Sequence, residues 1–199
     1  MKNTNHSLFD KYEMIKDLGT GSSGSVTLVR HISMDQERAL KKVPKASAFA
    51  ESALSEARLL KSLEHPSIPR IFDFEEDDAF YYIVEEYIDG ETLDSFLLHQ
   101  QLISPGLFFN ICEQLCNVFI YLHTQISTPI IYRDLKPEHI IVCHNKLKLI
   151  DFGVSAYVIQ AGNNFNHYGN IEFSAPECFT EDTICLLYTS PSPRDGATS

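Results

Sequence analysis

A two-lobed α+β fold is predicted by three features of this sequence. The first half carries five strand-like runs punctuated by glycine, proline and acidic turns, with one helical stretch among them. The second half is mainly helical, with a long apolar stripe and only two short strands. The pattern switches between Glu86 and Gly90, where the chain is expected to cross from one lobe to the other.

Taken in order, Tyr12 to Gly21 (YEMIKDLGTG) and Gly24 to His31 (GSVTLVRH) are β-rich runs joined by a glycine-rich turn. Glu37 to Val43 forms a third strand that Pro44 should close. From Ser47 to Leu63 the period becomes helical: Ala53, Ala57 and Leu60 share a face, and Glu56 falls on it. A carboxylate on an inward face is costly unless paired, so Glu56 requires a basic partner. HPSIPRIFDF and FYYIVEEYI supply two more strands, with EEDD (Glu75 to Asp78) read as a solvated turn between them. Beyond the Asp89-Gly90 turn, TLDSFLLHQ is a short helix and SPGLFFNICEQLCNVFIYLHTQ a long one. Ser104 is its expected N-cap, and Pro105 occupies the first helical position, where a missing N–H does no harm. HIIVC and KLKLI then flank a His144-Asn145 turn.

The 199 residues suffice for one good-sized domain or two small lobes, and 44% hydrophobic with 22% charged residues is a globular composition. A formal charge of −11 argues against nucleic-acid or anionic-membrane binding, which needs clustered Lys and Arg. No apolar run is long enough for a membrane span, and the start, MKNTNHSLFDKYE, is no signal peptide. The five cysteines form no CxxC pair, and Cys112 and Cys116 are expected to pack apolar helix surface. A reducing, cytoplasmic setting is the expectation.

Gly19 to Val26 (GTGSSGSV) matches G-x-G-x-x-G-x-V. The same spacing occurs in dinucleotide-binding folds, but there it opens a helix, whereas a β-type run follows here. A strand-loop-strand setting suits a flap whose backbone N–H groups close over phosphates. Lys41 lies 22 residues after Gly19, and beside an inward Glu56 it becomes a fixed cation able to meet phosphate oxygens. Lys42 should point to the opposite face. YRDLKPEH, from Tyr132, is followed by Asp151-Phe152-Gly153, 17 residues after Asp134, and then by Ala175-Pro176-Glu177, 24 residues further on.

Five such strings in this order resemble the eukaryotic-like, bacterial-type serine/threonine protein kinase family, from about Tyr12 to about Thr183. The resemblance implies a kinase-like two-lobe fold: a five-stranded antiparallel N-lobe with one helix over 12–86, a hinge at 86–90 and an incomplete helical C-lobe over 91–184. It implies ATP-dependent phosphoryl transfer to protein Ser/Thr hydroxyls, the substrate including the protein itself, with Mg2+ or Mn2+ as the cation. Asp134 would accept the substrate hydroxyl's proton and Lys136 would face the transferring group. Gly19, Thr20, Gly21, Ser22, Ser23, Gly24, Val26, Ala39, Lys41 and Glu56 would bind ATP, as would Glu86 and Ile88 of the hinge. Asp151 would bind magnesium, which prefers hard oxygen ligands. Arg133 would dock a phosphate on the segment that offers Ser155, Tyr157, Tyr168 and Ser174. The alternative function is a pseudokinase that binds nucleotide or a partner without transfer, although Lys41, Glu56, Asp134 and Asp151 are all present.

Departures from the family pattern fall at particular residues. His139 stands where an asparagine normally holds a second magnesium, and two readings remain open: partial metal ligation, or a histidine hydrogen-bonded within the loop. Asn170 replaces a threonine, and Glu85 replaces an apolar residue beside the hinge. The last stretch, 185–199, has no periodicity. From Cys185 to Asp195 it resembles a translated sequencing-library adapter, which predicts a non-native tail and a natural sequence interrupted near Thr183 or Ile184. Such a fragment is expected to leave apolar surface uncovered and to be poorly stable and weakly active.

Overall fold

The computed structural model describes residues 8–21, 24–100, 102–125, 127–157 and 172–173. Two compact units divide the chain: Met1–Glu64 with Pro69–Ile88, and His65–Ile68 with Asp89–Ser199.

The first unit is built on a five-stranded antiparallel sheet of order β1-β2-β3-β5-β4. Its strands are β1 (Tyr12–Gly21), β2 (Gly24–His31), β3 (Gln36–Pro44), β4 (Ile71–Glu76) and β5 (Phe80–Glu86). Strand alternation divides the apolar residues between two faces. Leu40, Val29, Tyr82 and Val84 gather with Leu8 and Tyr12, so the short helix α1 (Leu8–Lys11), which the sequence did not announce, caps one face. Val43 and Ile83 face Ala53 and Ala57 of α2 (Ala50–Lys61) on the other. The α1 strap is also held by charge: Lys11 Nζ lies 2.8 Å from Asp73, and the Leu8 N–H donates to Glu75 at 2.8 Å.

Several expected boundaries are corrected by local hydrogen bonding. The helix begins at Ala50, not Ser47, because the Ser47 hydroxyl accepts from the Phe49 N–H and folds that stretch into a turn. It ends at Lys61, where the Ser62 hydroxyl takes the Leu59 carbonyl. Pro44 closes β3 as its last residue, as expected; β2 pairs only as far as Lys42, so the missing N–H costs no ladder bond to it. The segment from His65 to Ile68 is not strand but part of the second unit, where the Ser67 carbonyl accepts from the Leu149 N–H. Glu75 and Glu76 belong to β4, so only Asp77 and Asp78 of EEDD form the turn, with Asp77 accepting from the Ala79 and Phe80 N–H groups.

The second unit contains β6 (Glu91–Thr92), α3 (Leu93–His99), α4 (Pro105–Ile120), β7 (Ile130–Ile131), β8 (Ile140–Cys143), β9 (Lys146–Leu149) and β10 (Ala156–Tyr157). Ser104 caps α4 as expected, its hydroxyl accepting from the Leu107 N–H at 3.2 Å. The helix does not run unbroken to Gln125: a wider π turn occupies Tyr121–Gln125, where the Thr124 hydroxyl bonds back to the Ile120 carbonyl. Cys112 is half-buried and Cys116 exposed, so the expected apolar packing fails at Cys116. β8 and β9 pair across His144 and Asn145, both left-handed (φ 49° and 63°), the geometry of a tight two-residue hairpin. Ile68, Val118, Leu122, Ile130, Tyr132, Leu147, Leu149 and Phe152 are fully buried in this unit.

Candidate active site

Each unit carries one half of the chemistry the sequence singled out. In the first, Val26 lies opposite Lys41 and Leu28 opposite Ala39, so Val26, Ala39 and Lys41 share one sheet face. That is the α2 face, and Lys41 Nζ reaches Glu56 Oε2 at 2.9 Å. The pair is mostly buried, with 19% and 11% of the two side chains exposed. Removing one partner would strand the other charge in a poorly hydrated place, at a cost of about 3–5 kcal/mol. Lys42, one residue on, lies over the Phe80 ring on the other face.

The glycines of the β1–β2 turn are not equivalent. Gly24 has φ +143°, and a Cβ there would stand 2.2 Å from the Lys42 carbonyl oxygen, so the fold requires glycine. A Cβ on Gly19 would meet nothing within 4 Å. Gly19 and Thr20 are exposed, Gly21 ends β1, and Ser22 and Ser23 lie outside the described residues. At the far end of β5, the Glu86 N–H donates to the Arg70 carbonyl at 2.9 Å, and Ile88 closes the unit. Glu85 pairs with Ala39 and Ile71.

In the second unit, the loop after β7 brings four side chains together. Lys136 Nζ lies 3.3 Å from Asp134 Oδ2. His139, in a 3-10 turn started by Pro137, is buried; its Nδ1 lies 2.9 Å from the Asp134 carbonyl oxygen and 3.4 Å from Asp134 Oδ2. The opposite ring nitrogen, Nε2, is 3.3 Å from Asp151 Oδ2. Asp151 Oδ1 in turn accepts from the Gly153 N–H. One imidazole therefore spans the two aspartates.

Arg133 and Asp151 both adopt left-handed backbone (φ 73° and 61°), which costs a non-glycine residue about 1–2 kcal/mol. Tyr132 holds them there. Its ring packs edge-on against buried Phe152 at 5.0 Å, its hydroxyl donates to the Ile150 carbonyl, and its own carbonyl accepts from the Ser155 hydroxyl. Strained residues fixed by buried neighbours are what a pre-organised site requires.

Asp134 and Asp151 offer hard carboxylate oxygens, and His139 adds an imidazole nitrogen. Among the described residues no group of three or more acidic, histidine or cysteine side chains is placed to hold a metal ion by itself. Such a site would need ligand oxygens from phosphate and water to complete it.

Comparison with known proteins matches residues 12–185 to the protein kinase domain. The chain belongs to the protein kinase family. The kinase domain is similar to serine/threonine-protein kinase PrkC of Bacillus subtilis, 31% identical over 84% of this chain and 26% of that protein. It is also similar to calcium-dependent protein kinase 4 of Plasmodium falciparum (32% identity, 95% of this chain, 37% of the relative). A third relative is serine/threonine-protein kinase ppk25 of Schizosaccharomyces pombe (33% identity, 81% of this chain, 39% of the relative). The chain thus spans about a quarter to two-fifths of the length of these relatives.

Two positioning residues of the kinase domain were missed by sequence reasoning. In the sequence Tyr132 is only the start of YRDLKPEH, and Ser155 only a hydroxyl on the segment after Asp151; their shared role depends on contacts spanning 18 and 23 residues. Asn170, Tyr168, Ser174, Glu177 and the tail after Ile184 lie outside the described residues, as does the Tyr157 side chain.

Proposed function

We propose that this chain is the ATP-binding and catalytic part of a serine/threonine protein kinase. The observation that carries the reading is the convergence of Asp134 and Asp151 on one buried imidazole, with Lys136 against Asp134. Phosphoryl transfer calls for little covalent help from protein; it calls for positioning and for neutralising charge on the phosphoryl oxygens.

Asp134 orients the attacking hydroxyl and takes its proton. Lys136, beside it, offsets negative charge on the group in transfer, and its ammonium keeps the Asp134 carboxylate aimed. Lys41, fixed by Glu56, meets phosphate oxygens of ATP, and the glycines of the Gly19 to Gly24 motif let backbone N–H groups approach them. Val26 and Ala39 present apolar surface, and the Glu86 to Ile88 backbone meets the adenine. Asp151, left-handed and followed by buried Phe152, would hold Mg2+ or Mn2+, which when bound would draw electron density from phosphate oxygens. Arg133 receives a phosphate on the segment after Asp151. The substrate is a protein hydroxyl, the chain's own included; the −11 charge supports a protein partner over a nucleic acid. No helix among the described residues is long and apolar enough to cross a membrane, and we place the activity in the cytoplasm.

The test is transfer of labelled γ-phosphate from ATP to the full-length gene product and to a generic Ser/Thr substrate, followed by phosphoamino-acid separation. Label on serine or threonine that Asp134→Asn abolishes supports the reading. ATP binding without label on any residue would instead describe a pseudokinase.

A further inference from the structure

Residues His65–Ile68 belong to the second unit, although the chain on either side of them, through Glu64 and from Pro69, belongs to the first. The segment begins four positions after α2 ends. The Leu149 N–H of β9 donates to the Ser67 carbonyl at 2.8 Å, and the Ile68 N–H closes a turn on the His65 carbonyl at 3.0 Å. The Lys148 ammonium reaches the Ile68 carbonyl at 3.5 Å. Ser67 and Ile68 are buried.

The His65 side chain completes the turn. The Ser67 N–H can only donate, and it meets His65 Nδ1 at 3.1 Å. That nitrogen therefore keeps its lone pair, and the neutral ring carries its hydrogen on Nε2. A proton added to Nδ1 would remove the acceptor and set two donors against each other. Tyr121 of the π turn lies against the ring, 5.1 Å between centres. Lys148 acts on it from β9, and an ammonium repels an imidazolium. The adjoining carboxylate, Glu64, is exposed and lies 3.8 Å from Arg70, a cation of the first unit. Burial acts in the same direction as Lys148 and holds the imidazole below its ordinary value.

We infer that His65 is a pH-operated latch: its neutral ring keeps the segment His65–Ile68 docked on β9, and its protonation releases that segment. The released form carries a histidine of ordinary value. Docking is therefore at full strength above about pH 6.5 and weakens below it, by at most about tenfold per pH unit, until pH passes the lower docked value. Release would free the end of the helix that carries Glu56, the partner of Lys41. The latch works whether or not phosphate is transferred, so its test is independent of the proposed function.

The test is hydrogen–deuterium exchange of backbone amides in the full-length gene product between pH 7.5 and 5, with rates corrected for the intrinsic effect of pH. The Leu149 amide should be less protected than that of Val118 in α4, the mark of an opening short of global unfolding. Its protection should fall at least about threefold across the range in the wild type. His65→Asn keeps a side-chain acceptor for the N–H two residues on but has no proton to gain, and its Leu149 protection should stay within about 1.5-fold. Equal losses in the two proteins, or a Leu149 amide protected to the same degree as Val118 at every pH, would overturn the latch. Ring nitrogen-15 shifts of the wild type decide the matter even if the variant folds poorly. The hydrogen is expected on Nε2 at pH 7.5, and finding it on Nδ1 would overturn the latch as well.

Discussion

Gly19 and Gly24 belong to the same short motif, yet the fold demands only Gly24. A side chain at Gly24 would strike the Lys42 backbone, whereas one at Gly19 would project into open space. Glycine at Gly19 therefore answers to something other than packing, which is what close approach of a phosphate would require. Gly24→Ala should cost at least about 1–3 kcal/mol of stability, read as a lower melting temperature. Gly19→Ala should leave stability within about 0.5 kcal/mol while weakening ATP binding roughly tenfold. Equal ATP affinity in Gly19→Ala and wild type would refute that assignment. Spacing alone showed both glycines but could not tell which one the fold needs. His139 was likewise visible as a substitution, but its reach to Asp151, twelve positions on, required the loop to fold.

At the scale of elements, the five-stranded sheet and its inward Glu56 were legible because period-2 and period-3.6 patterns are strong over long runs. Helix ends were not, because Ser47, Ser62 and Thr124 override the apolar period with bonds from their own hydroxyls. The β8–β9 hairpin was legible from its turn, but the residue that fastens it was not. Gln114, on α4, accepts from the Leu147 N–H and donates to the Asn145 carbonyl, each at 2.9 Å. These bonds span more than thirty residues, beyond any periodicity argument. Loss of both in Gln114→Ala should destabilise the second unit by about 1–3 kcal/mol, measurable by urea denaturation. A variant as stable as wild type would show the contact to be incidental.

For the molecule as a whole, order of motifs was the strongest signal. Each string is short, but their sequence from Gly19 to Glu177 pointed to a kinase before any contact was known, and the family match over 12–185 agrees. Acid sensitivity is a whole-molecule property that the sequence did not suggest. Burial holds the His65 imidazole below its ordinary 6.5, with Lys148 adding to the effect, and burial does the same at His123. Their neighbours are aromatic: Tyr121 lies 5.1 Å from His65 and Phe119 5.9 Å from His123, centre to centre. As pH falls, the unfolded chain protonates these histidines first. Their stabilising effect is full above about pH 6.5 and is lost as pH drops through the lower folded values. The melting temperature should therefore decline between about pH 7.5 and 5.5, and the double variant His65→Phe, His123→Phe should show a shallower decline. An identical slope would contradict this.

In the proposed function, the loop from Asp134 to His139, with Asp151, transfers phosphate and does not merely hold nucleotide. Its most direct measurement is the initial rate of γ-phosphate transfer at saturating ATP with Mg2+ or Mn2+, alongside calorimetric ATP binding, for wild type and Asp134→Asn. A rate at least about 100-fold lower is expected in Asp134→Asn, with ATP affinity nearly unchanged. A wild-type protein that binds ATP yet transfers no phosphate with either metal would contradict it.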